Sequence, residues 1–238
     1  MSREPVSLAV DANPRISIAS RSGRVIVVAE ERADILILEG AGVADIVRDE
    51  AGQISISTGN GSSALELRCP RGADVRVGTI SGRVELRGNF GKVHVTTTTG
   101  NIDLDEASAI DARTVSGSIS VGRCALKCRL STKSGRAEIR HAENADVATV
   151  SGKVSVDASS GSVNVKTASG SVAIGASGQN DVAVQTLSGS VTVRVPRGTR
   201  PAAFLRSLTG KPRLDCEAGT DCRVAVSTMS GKIEVVPG

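Results

Sequence analysis

The sequence predicts an all-β protein, a parallel β-solenoid with coils of about 18 residues and two short strands per coil. Three observations lead to this prediction. The chain has 26 Gly but only two Phe and no Trp or Tyr, so its core must consist of thin aliphatic layers. A Ser/Thr-Gly dipeptide returns at regular intervals. Apolar residues alternate with polar ones after each dipeptide, which is the period of a strand with one buried face.

The repeating unit reads T-x-S-G-x-V-x-V, as in Thr114–Val121, Thr149–Val156 and Thr186–Val193. Successive glycines of the motif are 18, 17, 18, 17, 9, 9, 19, 21 and 21 residues apart, and the two nines add up to one full step. The series comprises Gly82, Gly100, Gly117, Gly135, Gly152, Gly161, Gly170, Gly189, Gly210 and Gly231. A single coil cannot bury its apolar face, so stacking of coils about 4.8 Å apart must form the core.

An antiparallel sandwich with hairpins every nine residues or so is the alternative fold. It would need Asn-Gly or Asp-Gly turns between the repeated strands, and these are missing there. It also leaves the common register of Thr, Ser and Gly unexplained. We found one weak helix candidate, Thr199–Leu208, which contains Pro201.

The repeat predicts a single domain spanning residues 1–238. Regular coils occupy residues 65–238, and residues 1–64 form an irregular N-terminal β cap with strands at Arg24–Val28, Ile35–Leu38, Val43–Val47 and Ile54–Ile56. The segment Leu65–Gly72 matches Val191–Gly198 at an offset of 126 residues, which is seven times 18. We expect the last segment, Glu234–Gly238, to form an exposed terminal coil whose backbone groups are open to pairing, although Pro237 cannot donate a hydrogen bond.

The V-x-V-P-x-G segment followed by T-x-S-G-x-V-x-V coils resembles the bacterial β-strand-repeat family known as putative adhesins, a domain family of unknown function. The resemblance is best from Leu65 to Val236. It implies a parallel β-solenoid. It brings no catalytic residue and no established activity.

Stacking turns each position of the motif into a column. The Thr column points inward, and we expect its hydroxyls to bond to each other or to neighbouring backbone. The second position of the motif lies on the outer face and holds apolar residues, which predicts either an interface for self-association or a protein partner, or a bulge that buries them. The candidate interface residues are Ile80, Val115, Val150, Leu187, Leu208 and Met229.

The position after each Gly is often basic and predicts a corner column that could contact an anionic polymer, either nucleic acid or an acidic polysaccharide. The candidate anion-binding residues are Arg24, Arg83, Arg136, Lys153, Lys211 and Lys232. Intervening serines dilute this charge, and the scarcity of aromatic side chains argues against nucleic acid, whose readers use such rings for stacking. The net charge of +4 is too small to decide the question.

The sequence does not predict an enzyme. It has two histidines and no G-x-S-x-G, HExxH or P-loop motif, so we expect no catalytic residue, cofactor or metal site. Cys69, Cys124, Cys128, Cys216 and Cys222 lack zinc-type spacing, and we interpret them as structural thiols. The identity of any small-molecule ligand is left open.

No segment approaches the ~20 apolar residues of a membrane span, and the N-terminal residues lack a signal-peptide pattern. We therefore expect a cytoplasmic protein, with an exported surface protein as the alternative. The function predicted from the sequence is a non-enzymatic β-solenoid scaffold that interacts through its surface, with anionic-polymer binding as the second hypothesis.

Overall fold

The computed structural model of the chain describes residues 5–11, 13–39, 44–50, 52–58 and 64–238. Every helix or strand assigned in these ranges is a β-strand, which confirms the all-β class. The weak helix candidate at Thr199–Leu208 contains a strand instead. Val43, the first residue of one predicted strand, lies outside the described residues. The chain divides into two compact units, Met1–Ile119 and Ser120–Gly238.

The described residues of the first unit form ten strands: β1 (Val6–Ala9), β2 (Arg15–Ser20), β3 (Val25–Glu30), β4 (Asp34–Glu39), β5 (Ala44–Arg48), β6 (Ile54–Thr58), β7 (Leu65–Pro70), β8 (Asp74–Thr79), β9 (Val84–Thr97) and β10 (Ile102–Ser116). β2 pairs in parallel with β6 on one side and β8 on the other, and β3 does the same with β7 and β9. The coil β2–β3 therefore lies between two coils that follow it in the chain. β8 and β10 both stack on β9 in parallel.

The irregular part of the first unit consists of antiparallel strands at its N-terminal end. β5 covers the free edge of β6, β4 covers that of β7, and β1 pairs with β4. Leu65 and Leu67 of β7 are fully buried under this cover. An exposed strand edge invites pairing with other chains, and these strands block it at this end.

The second unit contains β11 (Ile119–Ser159) except for its first residue, β12 (Val163–Ala176), β13 (Val182–Ser188), β14 (Val191–Val195), β15 (Pro201–Ser207), β16 (Arg213–Leu214), β17 (Cys222–Ser230) and β18 (Ile233–Pro237). β11 is a continuous strand that runs through several bends of the coil. Val165 of β12 pairs in parallel with Val147 and with Val184, at steps of 18 and 19 residues. The predicted coil length and the parallel register are confirmed.

The final coil of the chain is not the outer layer of the second unit. β17 pairs with β13 on one side and β15 on the other, and β18 lies between β14 and β16 in the same way. The expectation that Glu234–Gly238 forms the open end was wrong, because β15–β16 covers this coil. Val226 of the inserted coil is 1% exposed, whereas its partner Leu205 in the covering coil is only half-buried.

Both cores are aliphatic, as the composition predicts. Val147, Val165 and Val184 stack on one another and are almost fully buried. Phe90 is the one buried aromatic residue in the described part of the chain. Large rings would not fit easily between layers that must match copies of themselves about 4.8 Å away.

Candidate interaction surface

The second position of the T-x-S-G motif points outward because the Thr before it points into the core. Successive side chains of a strand alternate between its faces, and this Thr is buried in both units. All six candidate interface residues are exposed, by 42% to 77%, so no bulge buries them. The six residues are divided between the two units. Ile80 and Val115 belong to the first unit, and Val150, Leu187, Leu208 and Met229 belong to the second.

In the second unit these side chains form a continuous row across five coils. The residues next to each member are paired in parallel with their counterparts in the next coil, so the members lie side by side. We call this row the apolar ladder; its order in space is Val150, Ala168, Leu187, Met229, Leu208. Because the C-terminal coil is inserted, Met229 lies between Leu187 and Leu208, an order that the sequence analysis did not predict.

In the first unit the corresponding row is shorter and is interrupted by a polar residue. Thr98 lies between Ile80 and Val115, since its amide donates to the Ile80 carbonyl and its carbonyl accepts from Ser116. This row therefore offers less continuous apolar surface than the ladder of the second unit.

A groove of about 510 Å³ runs beside the ladder. Ala168, Leu187 and Met229 form part of one wall, and Lys166 and Gln185 contribute polar groups to the other. Thr167, Thr186 and Thr228 lie between these two sets of side chains in the chain and also line the groove. The surface thus combines an apolar wall with a polar border, which is the composition of many protein interfaces.

The Thr side chains at the floor of the groove already have hydrogen-bond partners. Thr167 and Thr186 each donate from Oγ1 to the carbonyl oxygen two residues later, at 3.1 Å. Thr228 makes the same bond to Ser230, at 3.1 Å. These bonds confirm the predicted structural role of the column. Because the Thr hydroxyls are already bonded, the ladder is the part of the groove that is open to a partner.

The basic corner residues are largely paired with carboxylates. Arg24 forms a salt bridge with Glu85 at 3.0 Å. Arg83 pairs with Asp103 at 2.9 Å, and Lys232 with Glu234 at 2.6 Å. Hydrogen bonds from Arg24 hold the pKa of the Glu85 carboxyl below its ordinary value.

Arg136 also lies 3.5 Å from Glu138, so four of the six candidate anion-binding residues have an acidic neighbour. Among the residues with a described structure, Lys153 and Lys211 form no ion pair. The sequence contained a signal for this pairing that was missed. A glutamate follows Arg83, Arg136 and Lys232 at the second position, which lies on the same face of a strand.

The described ranges hold no cluster of three or more His, Cys, Asp or Glu residues suited to a metal ion. Cys69 lies fully buried beside Ala29, and burial raises the pKa of its thiol to about 12. Such a thiol is a core side chain, as the sequence predicts. No helix in the described structure is long and apolar enough to cross a membrane.

The sequence and the fold of the chain match those of known proteins. The family described as Toastrack DUF4097 matches residues 13–193. The chain therefore belongs to this family, and the resemblance inferred from the T-x-S-G coils is confirmed. No curated protein shows significant similarity to the chain.

Several solved structures of bacterial proteins share the fold. One is a putative adhesin from Parabacteroides merdae, with 11% identity, a TM-score of 0.57 and coverage of 97% of this chain and 95% of that one. A second, from Parabacteroides distasonis, has 10% identity, a TM-score of 0.54 and coverage of 99% and 96%. A third, from Bacteroides fragilis, has 10% identity, a TM-score of 0.51 and coverage of 98% and 96%.

Proposed function

We propose that this protein is a non-enzymatic scaffold that self-associates through the apolar ladder. The observation that carries the proposal is the unbroken row of Val150, Ala168, Leu187, Met229 and Leu208 on the outer face of the second unit. A contiguous apolar surface of this kind on a soluble domain usually marks an interaction site. The description of the structural relatives as putative adhesins supports a surface-presenting role without catalysis.

A second copy of the chain is a suitable partner because the ladder presents side chains in register on successive coils. Two copies can pack their ladders against each other about a two-fold axis, so that the side chains of one ladder contact those of the other. The apolar members provide the centre of the contact, and Lys166 and Gln185 provide a polar border at its edge.

The proposal predicts how strongly substitutions in the ladder weaken association. Val150 and Leu187 are 54% and 55% exposed. Burying the exposed half of each side chain in the interface therefore contributes roughly 1 kcal/mol to the free energy of association. Removing both side chains from both copies then costs about 4 kcal/mol, which is about a thousand-fold in Kd. Replacement by Asp adds the cost of burying a charge.

Sedimentation velocity of Val150→Asp/Leu187→Asp tests this proposal over a range of protein concentrations. We expect the wild-type protein to form a dimer or larger species and the variant to sediment as a monomer. Ser155→Asp/Thr192→Asp is the matched control, because these two positions lie on the second strands of the coils, away from the ladder. One coil separates Ser155 from Thr192, as one coil separates Val150 from Leu187. A monomeric wild-type protein, or equal loss of association in the control, would refute the proposal.

Binding of an anionic polymer is the second candidate function, and the absence of ion pairs at Lys153 and Lys211 within the described structure is the observation that favours it. The carboxylates beside the other four basic residues reduce its support, since they compete with phosphate or sulfate groups. Arg136→Gln/Lys153→Gln should lose retention on heparin or DNA at about 50 mM salt if the corner binds polyanions. A wild-type protein that is not retained under these conditions would exclude this function.

A further inference from the structure

The chain has two aromatic residues, and the structure places them in opposite environments. Phe90 is fully buried in the core of the first unit, whereas Phe204 on β15 is 56% exposed. Arg223 of β17 lies over the Phe204 ring, with its guanidinium carbon 5.2 Å from the ring centroid. The one exposed ring of this protein therefore has a charged neighbour on the outer surface of the second unit.

The inserted coil brings residues from separate parts of the chain together around this ring. β17 lies between β13 and β15, and Arg223 is paired with Ala202, two residues before Phe204. On the other side of β17, the register with β13 places Asp181 next to Arg223. The residues that flank Asp181 and Arg223 are buried, so both of these side chains point outward.

These side chains line a groove of about 360 Å³ on the surface of the second unit. Phe204 and Ala202 provide its apolar part, and Gln179, Thr220 and Asp221 contribute polar groups. Ligand sites of small molecules begin at about 300 Å³. The groove is therefore large enough for a small molecule that has one apolar face.

The polar groups of the groove have hydrogen-bonding capacity that the protein does not use. Asp181 and Gln179 are exposed, and within the described ranges neither side chain forms a hydrogen bond or an ion pair. Arg223 lies over the aromatic ring and forms no ion pair with Asp181. Asp221 accepts a hydrogen bond from the Arg200 amide at 2.8 Å through Oδ2, and its Oδ1 is left for a ligand.

We propose that this groove binds a neutral sugar, with one pyranose ring stacked on the exposed side of the Phe204 ring. A pyranose has an apolar C–H face that packs on an aromatic ring, and hydroxyl groups at its edge that both donate and accept hydrogen bonds. Its hydroxyls donate to the carboxylates of Asp181 and Asp221. The Gln179 amide and the Arg223 guanidinium donate to its hydroxyl oxygens.

The charges around the ring favour a neutral ligand over an ionic one. The carboxylates of Asp181 and Asp221 repel the phosphate group of a nucleotide. A cationic ligand would be repelled by Arg223, which already lies over the ring. A neutral sugar avoids both repulsions and uses the apolar and the polar groups together. The groove shares no residue with the apolar ladder, so the proposal does not depend on self-association.

Aromatic NMR spectra of the full-length wild-type protein, labelled with ¹³C at Phe, test the proposal. The chain has two Phe and no Trp or Tyr, so the spectrum reports one buried ring and one exposed ring. The probes are methyl β-galactoside, methyl β-glucoside and methyl α-mannoside. Each is titrated to about 50 mM, because we expect a single sugar ring in a shallow groove to bind with a Kd on the order of 1 mM.

We expect at least one of the three sugars to shift the Phe204 signals in a saturable manner while the Phe90 signals stay in place. The absence of a Phe204 shift with all three sugars would overturn the proposal. Equal shifts of both rings would also overturn it, since they would report a general solvent effect. A shift of Phe204 with AMP but with none of the sugars would overturn it in favour of a nucleotide site.

Three variants make the result specific, with binding measured by saturation-transfer difference NMR on the sugar that shifts Phe204. Phe204→Leu should weaken binding about tenfold or more, because it removes the flat surface for stacking. Phe204→Tyr keeps the ring and should bind like wild type. Leu208→Ala is the matched control, since Leu208 is an exposed apolar residue of the same coil that does not line the groove. Equal binding by wild type and Phe204→Leu, or equal weakening in Leu208→Ala, would contradict the proposed site.

Discussion

Replacement of one corner glycine tests the packing of the coils directly. Gly170 has a φ of +136°, a conformation that residues with a side chain rarely adopt. A Cβ at this position would lie 2.9 Å from the carbonyl carbon of Gly152 and 3.0 Å from its nitrogen, and closer still to its carbonyl oxygen. Gly170→Ala therefore combines backbone strain with a collision against the neighbouring coil.

The expected loss follows from these two contributions. The strained backbone conformation costs about 1–3 kcal/mol. The collision requires the Gly152 backbone to move away, and each interstrand hydrogen bond lost at the corner costs about 1 kcal/mol. We expect Gly170→Ala to lower the free energy of unfolding by about 3–5 kcal/mol, a large share of the 5–15 kcal/mol typical of a domain.

Gly198→Ala is the matched control, because Gly198 also has a positive φ, of +84°, but nothing lies within 4 Å of a Cβ there. We expect this variant to lose only about 1–2 kcal/mol from strain. Urea denaturation followed by circular dichroism measures the loss of stability in both variants. Hydrogen exchange of the β12 peptides shows whether the loss in Gly170→Ala is located at that strand. An equal loss in the two variants would refute the inference that neighbouring coils touch at the glycine corner.

Two further predictions concern polar groups. Thr186→Val should lower the free energy of unfolding, measured by urea denaturation, by about 1 kcal/mol because it removes the hydrogen bond to the Ser188 carbonyl. Thr97→Val should leave this free energy unchanged or raise it, because the Thr97 hydroxyl has no hydrogen-bond partner in the described part of the chain. The lowered pKa of Glu85 predicts a contribution to stability that is present above the ordinary pKa of 4.5 and is lost as the pH falls through the lowered value. In thermal unfolding, the stability of Glu85→Gln should decline less than that of wild type between about pH 5 and pH 2. Equal declines would contradict the prediction.

The repeat predicted the coils because one local pattern determines the register. Thr, Ser and Gly return together, so stacking pairs Thr149 with Thr167 and Gly152 with Gly170, as the structure shows. A shift by one residue would move each valine from the core to the surface. The strand period and the bend therefore sufficed to predict the fold.

The order of the coils could not be predicted from the same pattern. The motifs at Gly210 and Gly231 are alike, and nothing local distinguishes a coil that covers the stack from one that inserts into it. In the structure, Leu205 in the covering coil replaces a valine of the usual core column. The covering strand β4 likewise depends on a contact between distant parts of the chain, because it pairs with β7.

The candidate surface was predicted in part. The motif placed Val150, Leu187 and Met229 on the outer face, and their exposure follows from strand alternation. Their joining with Leu208 into one row depends on the inserted coil and needed the structure. Whether the ladder contacts a second copy of the chain stays a prediction.

Photo-crosslinking at Leu187 tests the central claim, that the apolar ladder joins two copies of this chain. A photoreactive side chain at Leu187 should yield a product of twice the monomer mass whose crosslink maps to the ladder of the second copy. The same group at Arg194, an exposed position on β14, serves as the control and should yield little of this product. No dimeric product from Leu187, or a crosslink that maps outside the ladder, would contradict the account.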